Sequence, residues 1–459
     1  MKSKNTIVQL ILIAGLAGLL QAQSAYDAIH KIDNENGFGT RALAMGGAYT
    51  GLADDYSALY WNPAGLGYVH NSQFSVELSH LNFQNEANYS GAFSMDNQTY
   101  TRLRSLGFVR PVPTARGSCV IALGYNKISD YDENLYFSGY SSVSNGIGFY
   151  FADENEESKF YLFDKDVLRT EQISSAGGLH HWSLAGAIAL SPQFMAGATV
   201  ALITGKEDYN FRFSQRDIND LFDVYPGDID EYEINQYLIS DIRGLGIKLG
   251  GNLQLSRWLR LGGTIKLPTY LTVNETYSSD DLITFDDGSD DGVEDSGRWK
   301  YTIKTPYYFD GGVAFTGHFL TLSASARYRD WSQTQFSIPK NQLAEADYRD
   351  LIIENSIIRN DYRETIEYHL GGEIKLPFLR TNLRGGYAYF PNPLMESDKT
   401  QDKQIYTSGL SLTVDRNINL DVAYLFSDWS RVSEDQFTPA GTLENISISK
   451  IIIGLSYTF

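Results

Sequence analysis

The stretch Leu245-Gly246-Ile247-Lys248-Leu249-Gly250-Gly251-Asn252-Leu253-Gln254-Leu255 decides the fold. Leu245, Ile247, Leu249, Leu253 and Leu255 point one way, while Gly246, Lys248, Gly250, Asn252 and Gln254 point the other. A sustained period of two means a strand with one apolar face and one polar or small face. The pattern returns in 259–267, where Leu259, Leu261, Ile265 and Leu267 oppose Arg260, Gly262, Thr264 and Lys266. In 366–376, Ile366, Tyr368, Leu370, Ile374 and Leu376 oppose Glu367, His369, Gly371, Glu373 and Lys375. Leu420, Val422, Tyr424 and Phe426 likewise oppose Asp421, Ala423 and Leu425. The chain ends the same way, with Ile451, Ile453, Leu455, Tyr457 and Phe459 on one face. A terminal aromatic after alternating apolar residues resembles the signal read by the outer-membrane barrel assembly machinery.

Working outward, short and long connections alternate. Tight turns fall at Ser191-Pro192, Ser256-Arg257, Gly317-His318, Leu376-Pro377-Phe378 and Asp415-Arg416-Asn417, with a slightly longer one through Pro111, Pro113 and Arg116. Longer polar connections are expected at 85–99, 128–178, 214–236, 278–296, 339–359, 391–403 and 430–445. The strands between them are 72–84, 100–110, 116–127, 179–190, 193–213, 237–256, 257–277, 297–316, 318–338, 360–376, 380–391, 402–415, 417–430 and 446–459, which makes fourteen. An even strand number, with long loops at one end and short turns at the other, is the layout of a bacterial outer-membrane barrel. Closure also removes the exposed edges of an open sheet.

Composition agrees. Among 459 residues, 31 Tyr, 24 Phe and 41 Gly suit short packed strands and tight turns. Mean hydropathy is slightly negative, which rules out a bundle of membrane helices but not a barrel. A net charge of −19 argues against nucleic acid, whose phosphates need clustered Lys and Arg. The lone Cys119 forms no internal disulfide, and no Cys/His cluster has zinc-ligand spacing. No cofactor is expected. His180 and His181 are adjacent, hence on opposite strand faces, and no G-x-S-x-G elbow occurs, so no enzyme signature emerges.

Lys2 and Lys4 precede an uncharged run from Ile7 to Leu20, followed by small and polar residues. This is the make-up of a secretory leader, with cleavage expected near Gln23 or Ser24. The expected layout is therefore a signal peptide (1–23), a luminal segment (24–71) and a barrel (72–459).

The segment before the barrel contains Gly39-Thr40-Arg41-Ala42-Leu43-Ala44-Met45-Gly46-Gly47-Ala48, Ala53-Asp54-Asp55-Tyr56-Ser57-Ala58 and Tyr60-Trp61-Asn62-Pro63-Ala64-Gly65-Leu66. It resembles the N-terminal hatch of FadL-type hydrophobic-compound transporters, which include long-chain fatty-acid and toluene transport porins. The resemblance implies a plugged fourteen-stranded barrel in the outer membrane of a Gram-negative bacterium. It also implies passive passage of a fatty acid or aromatic hydrocarbon, and a monomer surrounded by membrane lipid and lipopolysaccharide. The same signature looks like that of related barrels serving protein secretion, which would bind protein partners through their loops.

Several residues are candidates for function. Asn62, Pro63 and Ala64 read either as a hatch segment that abuts the ligand or as a structural turn joining plug to wall. Lys248, Arg260, Lys266 and Arg327 face the lumen, with Arg329 an alternative to Arg327. The resemblance implies basic residues that hold a ligand head group; alternatively these cations pair with Asp54, Asp55, Glu367 or Glu373 and secure the plug. Leu221, Phe222, Val224 and Tyr225 offer an outer docking groove or pack the loops together. Loop 339–359, with Leu343, Ala346, Leu351, Ile352, Ile353, Ile357 and Ile358, includes an expected helix. Gly117 and Gly124 mark either a wall kink with a lateral exit, as in the family, or space for the plug. The acidic run Asp286–Asp295 lacks the EF-hand order of ligands and reads as a solvated loop.

Overall fold

The computed structural model describes residues 24–33, 36–152, 158–338 and 348–459. The leader expected at 1–23, and Leu343 and Ala346 of the 339–359 loop, lie outside the described residues. The chain opens with helices α1 (Ala25–Asp33), α2 (Thr40–Ala44) and α3 (Ala58–Trp61), then a 3-10 segment over Pro63–Tyr68. The wall follows as β1 (Gln73–Tyr89), β2 (Ala92–Val112), β3 (Cys119–Asp130) and its continuation β4 (Glu133–Ser141). A small hairpin, β5 (Gly148–Ala152) and β6 (Ser158–Leu162), interrupts it before β7 (Val167–Ala189), β8 (Phe194–Arg216) and β9 (Ile229–Gln254). Next come β10 (Leu259–Lys266) with β11 (Tyr270–Phe285), β12 (Asp290–Lys304) with β13 (Tyr308–Thr316), and β14 (Leu320–Asp330) with the short β15 (Gln335–Phe336). Helix α4 (Arg349–Asp361) precedes β16 (Glu364–Leu376), β17 (Thr381–Phe390), β18 (Lys403–Asp415), β19 (Ile418–Ser433) and β20 (Thr442–Thr458).

Every wall pairing is antiparallel, and β20 pairs with β1 from Gln73↔Thr458 to Tyr89↔Thr442, which closes the sheet. Counting the split strands once each gives the fourteen read from alternation. Two of the splits have a covalent cause. Pro268 separates β10 from β11 and Pro306 separates β12 from β13, and neither can donate a ladder bond. Outward Leu78, Leu184, Leu202, Leu245, Leu370 and Ile453 are exposed, while Lys248, Arg260, Glu367 and Glu373 on the opposite faces are buried. In this fold the exposed leucines form the lipid-facing band, with short turns toward the periplasm and long loops outside.

The strands run further than the sequence pattern predicts. Expected loop 85–99 is a hairpin in which Tyr89 faces Ala92 across Ser90 (φ 49°) and Gly91 (φ 86°). Two consecutive left-handed residues give the tight turn whose twist matches the flanking strands. Expected loop 278–296 is likewise strand up to a turn at Asp286–Ser289, so the acidic run forms a turn and the start of β12. Beyond the bilayer the outward face meets water instead of lipid, so polar residues such as Gln84, Glu86 and Asn88 replace the apolar ones there, and the outward-apolar alternation is lost although Phe83, Ala87, Tyr89 and Ile283 stay buried inside. The remaining loops cover the outer end. Phe149, Phe151, Phe163, Phe211, Phe213, Tyr232 and Phe437 form an aromatic core where the β5–β6 hairpin folds onto β8, β9 and the β19–β20 loop.

Candidate functional site

The N-terminal segment fills the lumen, and wall glycines make its seat. A Cβ at Gly250 would overlap Asn62 Oδ1, and one at Gly262 would overlap the Thr50 carbonyl. Across the barrel, Gly371 and Gly386 admit the Met45–Gly46 backbone, and Gly107 and Gly124 admit the Tyr56 ring. These contacts lie on opposing parts of a closed wall, so the segment is enclosed. Asn62 is fully buried. Its Nδ2 donates to the Thr50 carbonyl at 2.8 Å and the Gly251 carbonyl at 3.1 Å, and its Oδ1 accepts from Ala64 N at 3.1 Å. One side chain thus ties a plug turn, a wall strand and the 3-10 segment whose first residue is Pro63. Pro suits that place because it needs no donor there and its φ is preset.

The expected luminal cations separate into two groups. Arg260 donates to Asp54 at 2.9 Å and lies over the Tyr68 ring. Arg41, which the sequence reading did not single out, holds Asp54 at 2.6 Å and wall Glu373 at 2.9 Å. Burial alone would raise the Asp54 carboxyl, but the guanidiniums of Arg41 and Arg260 overcome it and hold the group below the usual carboxylate range. Lys248, Lys266, Arg327 and Arg329 gather instead around the Tyr308 ring, 4.4–5.1 Å from its centroid. Lys248 donates to the Tyr60 carbonyl at 2.8 Å and to Asp310 at 3.2 Å. Arg327 meets Asp310 at 2.6 Å and Glu367 at 3.7 Å. Asp54, Glu367 and Glu373 are thus partners of cations, and Asp310 joins them unforeseen.

Toward the loop end, α1 rests on the wall through Lys31, whose ammonium lies 3.0 Å from Glu207 and 3.7 Å from Glu275. Beside α1 is a cavity of about 190 Å³. Its apolar lining includes Ile29, Leu81, Phe83, Ile405, Trp429 and Ile448. Charged groups in the same lining compensate one another. Lys450 meets Asp130 at 2.5 Å, Lys403 meets Asp33 at 3.2 Å, and Arg431 joins Glu133 and Glu444. The sequence reading missed this site because its residues come from α1, from strands β1–β4 and β18–β20 at the two ends of the chain, and from connecting segments. No local spacing links them.

The third strand does break, but at neither expected glycine. Gly117 lies in the β2–β3 turn, and Gly124 sits in unbroken pairing opposite Gly107. Pairing of β2 with β3 stops at Ser105↔Asn126, and the β3–β7 register slips between Lys127 and Ser129. Above this point β4 has a ladder to β7 only, among the described residues, so the seam beside β2 lacks ladder bonds, although Gly139 of β4 packs against Tyr89 and Ala92 at its outer end. Arg102 spans the seam, donating to the Gly177 carbonyl at 2.8 Å and pairing with Asp132 at 2.6 Å. On the outside, Phe222 packs against Phe163 in the loop core, whereas Leu221, Val224 and Tyr225 remain exposed. Among the described residues, no group of three or more His, Cys, Asp or Glu side chains is arranged to hold a metal ion.

A family model described as outer membrane protein transport protein (OMPP1/FadL/TodX) matches residues 188–459, more than half of the chain. The toluene transporter TodX of Pseudomonas putida is similar in structure at TM-score 0.58 and 14% identity, over 93% of this chain and 99% of that one. The Ralstonia pickettii toluene transporter TbuX matches at TM-score 0.54 and 16% identity, over 93% of this chain and 100% of its own. A Pseudomonas aeruginosa FadL homologue matches at TM-score 0.55 and 13% identity, over 93% and 98%. No curated protein matches the chain significantly in sequence. Family match and closed barrel together place the chain in the OMPP1/FadL/TodX family of transport proteins, with the fold of a hydrophobic-compound transporter of the Gram-negative outer membrane.

Proposed function

We propose that this protein passes small uncharged hydrophobic compounds, the size of one aromatic ring or a short hydrocarbon, inward down their gradient. The carrying observation is the luminal cavity of about 190 Å³, whose lining joins apolar side chains to charged groups that are ion-paired with one another. An apolar cavity of about 150 Å³ accepts benzene, so one ring fits the volume. A fatty-acid carboxylate, by contrast, would have to displace Asp130, Asp33 or Glu133 from its cation. For the Lys450–Asp130 pair, which is largely buried, breaking it costs about 3–5 kcal/mol. The solved toluene transporters of like fold point the same way.

In this reading residues 24–71 act as the hatch, anchored at Asn62, and Lys248, Arg260, Lys266 and Arg327 hold it rather than the ligand. Exposed Leu221, Val224 and Tyr225 give the ligand its first apolar contact, and it leaves when the hatch shifts or through the seam beside β2. The test is uptake of labelled toluene and labelled laurate by cells producing the protein. Toluene uptake should rise above that of cells lacking it and fall to background in Ile448→Trp, which fills the cavity. Preference for laurate, or unchanged toluene uptake in a correctly folded Ile448→Trp barrel, would refute the reading.

A further inference from the structure

The chain carries a net charge of −19, yet one sector of the outer wall surface gathers cations. Register sets Lys206 of β8, Asp241 of β9, Asn274 of β11 and Lys300 of β12 side by side in one outward row. One step toward the periplasm the row is Thr204, Arg243, Thr272 and Thr302; one step toward the loops it is Asp208, Ile239, Thr276 and Arg298. Lys206, Arg243, Arg298 and Lys300 are all exposed. With strands about 4.8 Å apart and same-face residues about 7 Å apart, their Cα atoms lie within about 17 Å of one another. Two acids share these rows. Asp208 holds Lys206 at 2.6 Å, and Asp241 is its ladder neighbour. Among the described residues Arg243, Arg298 and Lys300 form no ion pair and no side-chain hydrogen bond, unlike the luminal Lys248, Arg260 and Arg327.

The height of this patch points to its partner. Immediately below it the outward positions are the exposed Leu202 and Leu245, with the exposed ring of Tyr270 beside them, where the lipid-facing band ends. Above it acids return, with Asp280 opposite Glu294. Around the other side of the barrel the outward row above the band reads Tyr389, Gln404, Asp428, Ser447, Gln84 and Asn97, without a Lys or Arg. We propose that the patch binds the phosphorylated headgroup of an outer-leaflet glycolipid, with Arg243, Arg298 and Lys300 on its phosphates and its acyl chains along Leu202 and Leu245. Phosphates of such a lipid lie where the wall leaves the apolar layer. Cations that hold no carboxylate need give up no partner, and guanidinium groups bind phosphate oxygens in pairs. Thr272, Asn274 and Thr276, between the two basic flanks, add neutral donors. The inference rests on the long loops lying outside and is independent of what the cavity carries.

The test is titration of the full barrel, purified in detergent, with bisphosphorylated lipid A, read by native mass spectrometry. Each cation near a phosphate layer is worth about fivefold in affinity, so R243Q/R298Q/K300Q should bind on the order of a hundredfold more weakly than wild type. Dephosphorylated lipid A should bind wild type no better than the phosphorylated form binds that variant. R212Q/R216Q removes two cations from higher on the same face of β8, where Arg216 faces Glu231, and should bind as wild type does. Equal affinity of wild type and the triple variant, both with the gel mobility of a folded barrel, overturns the proposal. An equal loss in R212Q/R216Q, or no preference for the phosphorylated lipid, overturns it as well. Displacement of lipid A by millimolar inorganic phosphate would assign the patch to a soluble anion instead. If the triple variant does not fold, R243Q alone, with its expected fivefold loss, provides the comparison.

Discussion

Replacement of Asn62 by alanine tests the seating of the luminal segment most directly. The change leaves the Thr50 and Gly251 carbonyls without a donor and Ala64 N without an acceptor. Asn62 is fully buried, so water does not readily take over. At about 1–2 kcal/mol for each stranded group, the loss is about 3–6 kcal/mol. It falls on docking of the segment and not on the wall, whose ladder bonds are unchanged. The barrel should therefore still assemble and keep the slow gel mobility shift of a folded barrel. Hydrogen exchange across Met45–Leu66 should accelerate by at least about a hundredfold, the equivalent of 2.7 kcal/mol, and single-channel ionic conductance in planar bilayers should rise. Wild-type protection of that span in Asn62→Ala, with the barrel intact, would show that the segment is held elsewhere and that the glycine seat is incidental.

Three further perturbations separate the contributions around this seat. Gly386→Val drives a side chain into the Met45–Gly46 backbone and should expose residues 40–52 to exchange; outward Gly385→Ala meets only the Thr407 carbonyl at 3.8 Å and should leave exchange unchanged. Asp54 is held below the usual carboxylate range, so its contribution to docking of the luminal segment is present above ordinary carboxyl values and lost as pH falls through the lowered folded value. Arg260→Gln removes one of the two cations responsible, and conductance recorded against pH should show hatch release beginning at a higher pH than in wild type. Deleting Phe459 removes a terminal ring that stacks on Tyr457 at 5.6 Å and Phe108 at 6.1 Å. The yield of assembled barrel in outer membranes, measured by immunoblot, should fall several-fold, and an unchanged yield would remove the ring from the assembly signal.

Much of the wall was legible from residues alone, because a strand between lipid and a polar lumen must alternate at every position. Leu245, Leu249 and Leu253 opposite Lys248 and Asn252 record that constraint locally, and so do the prolines and short turns that punctuate the chain. The same physics explains where the reading fell short. Ala92–Thr101 is exposed or half-buried on both faces, and along Asn82–Tyr89 the outward face carries Gln84, Glu86 and Asn88 while Phe83, Ala87 and Tyr89 are buried inside, so the outward-apolar pattern that marks the wall is missing from the hairpin.

The site depended on contacts that no local pattern encodes. Lys248 was visible as a luminal cation, but its partners, Tyr60 and Asp310, lie 188 and 62 positions away and meet it only after the barrel closes around the segment. The break in β3 was expected at glycines, yet Gly124 proved to be space for Tyr56, and the seam begins where pairing stops at Asn126. The cavity beside α1 exists because closure sets β20 against β1 and brings Leu81 and Ile448 to one lining. Sequence by itself determined the alternation and the strand count, and it singled out Asn62-Pro63-Ala64, since each is written in near neighbours. Tertiary structure decided which charges cancel, where the wall parts and what volume remains, because those follow from closing the ring and filling it.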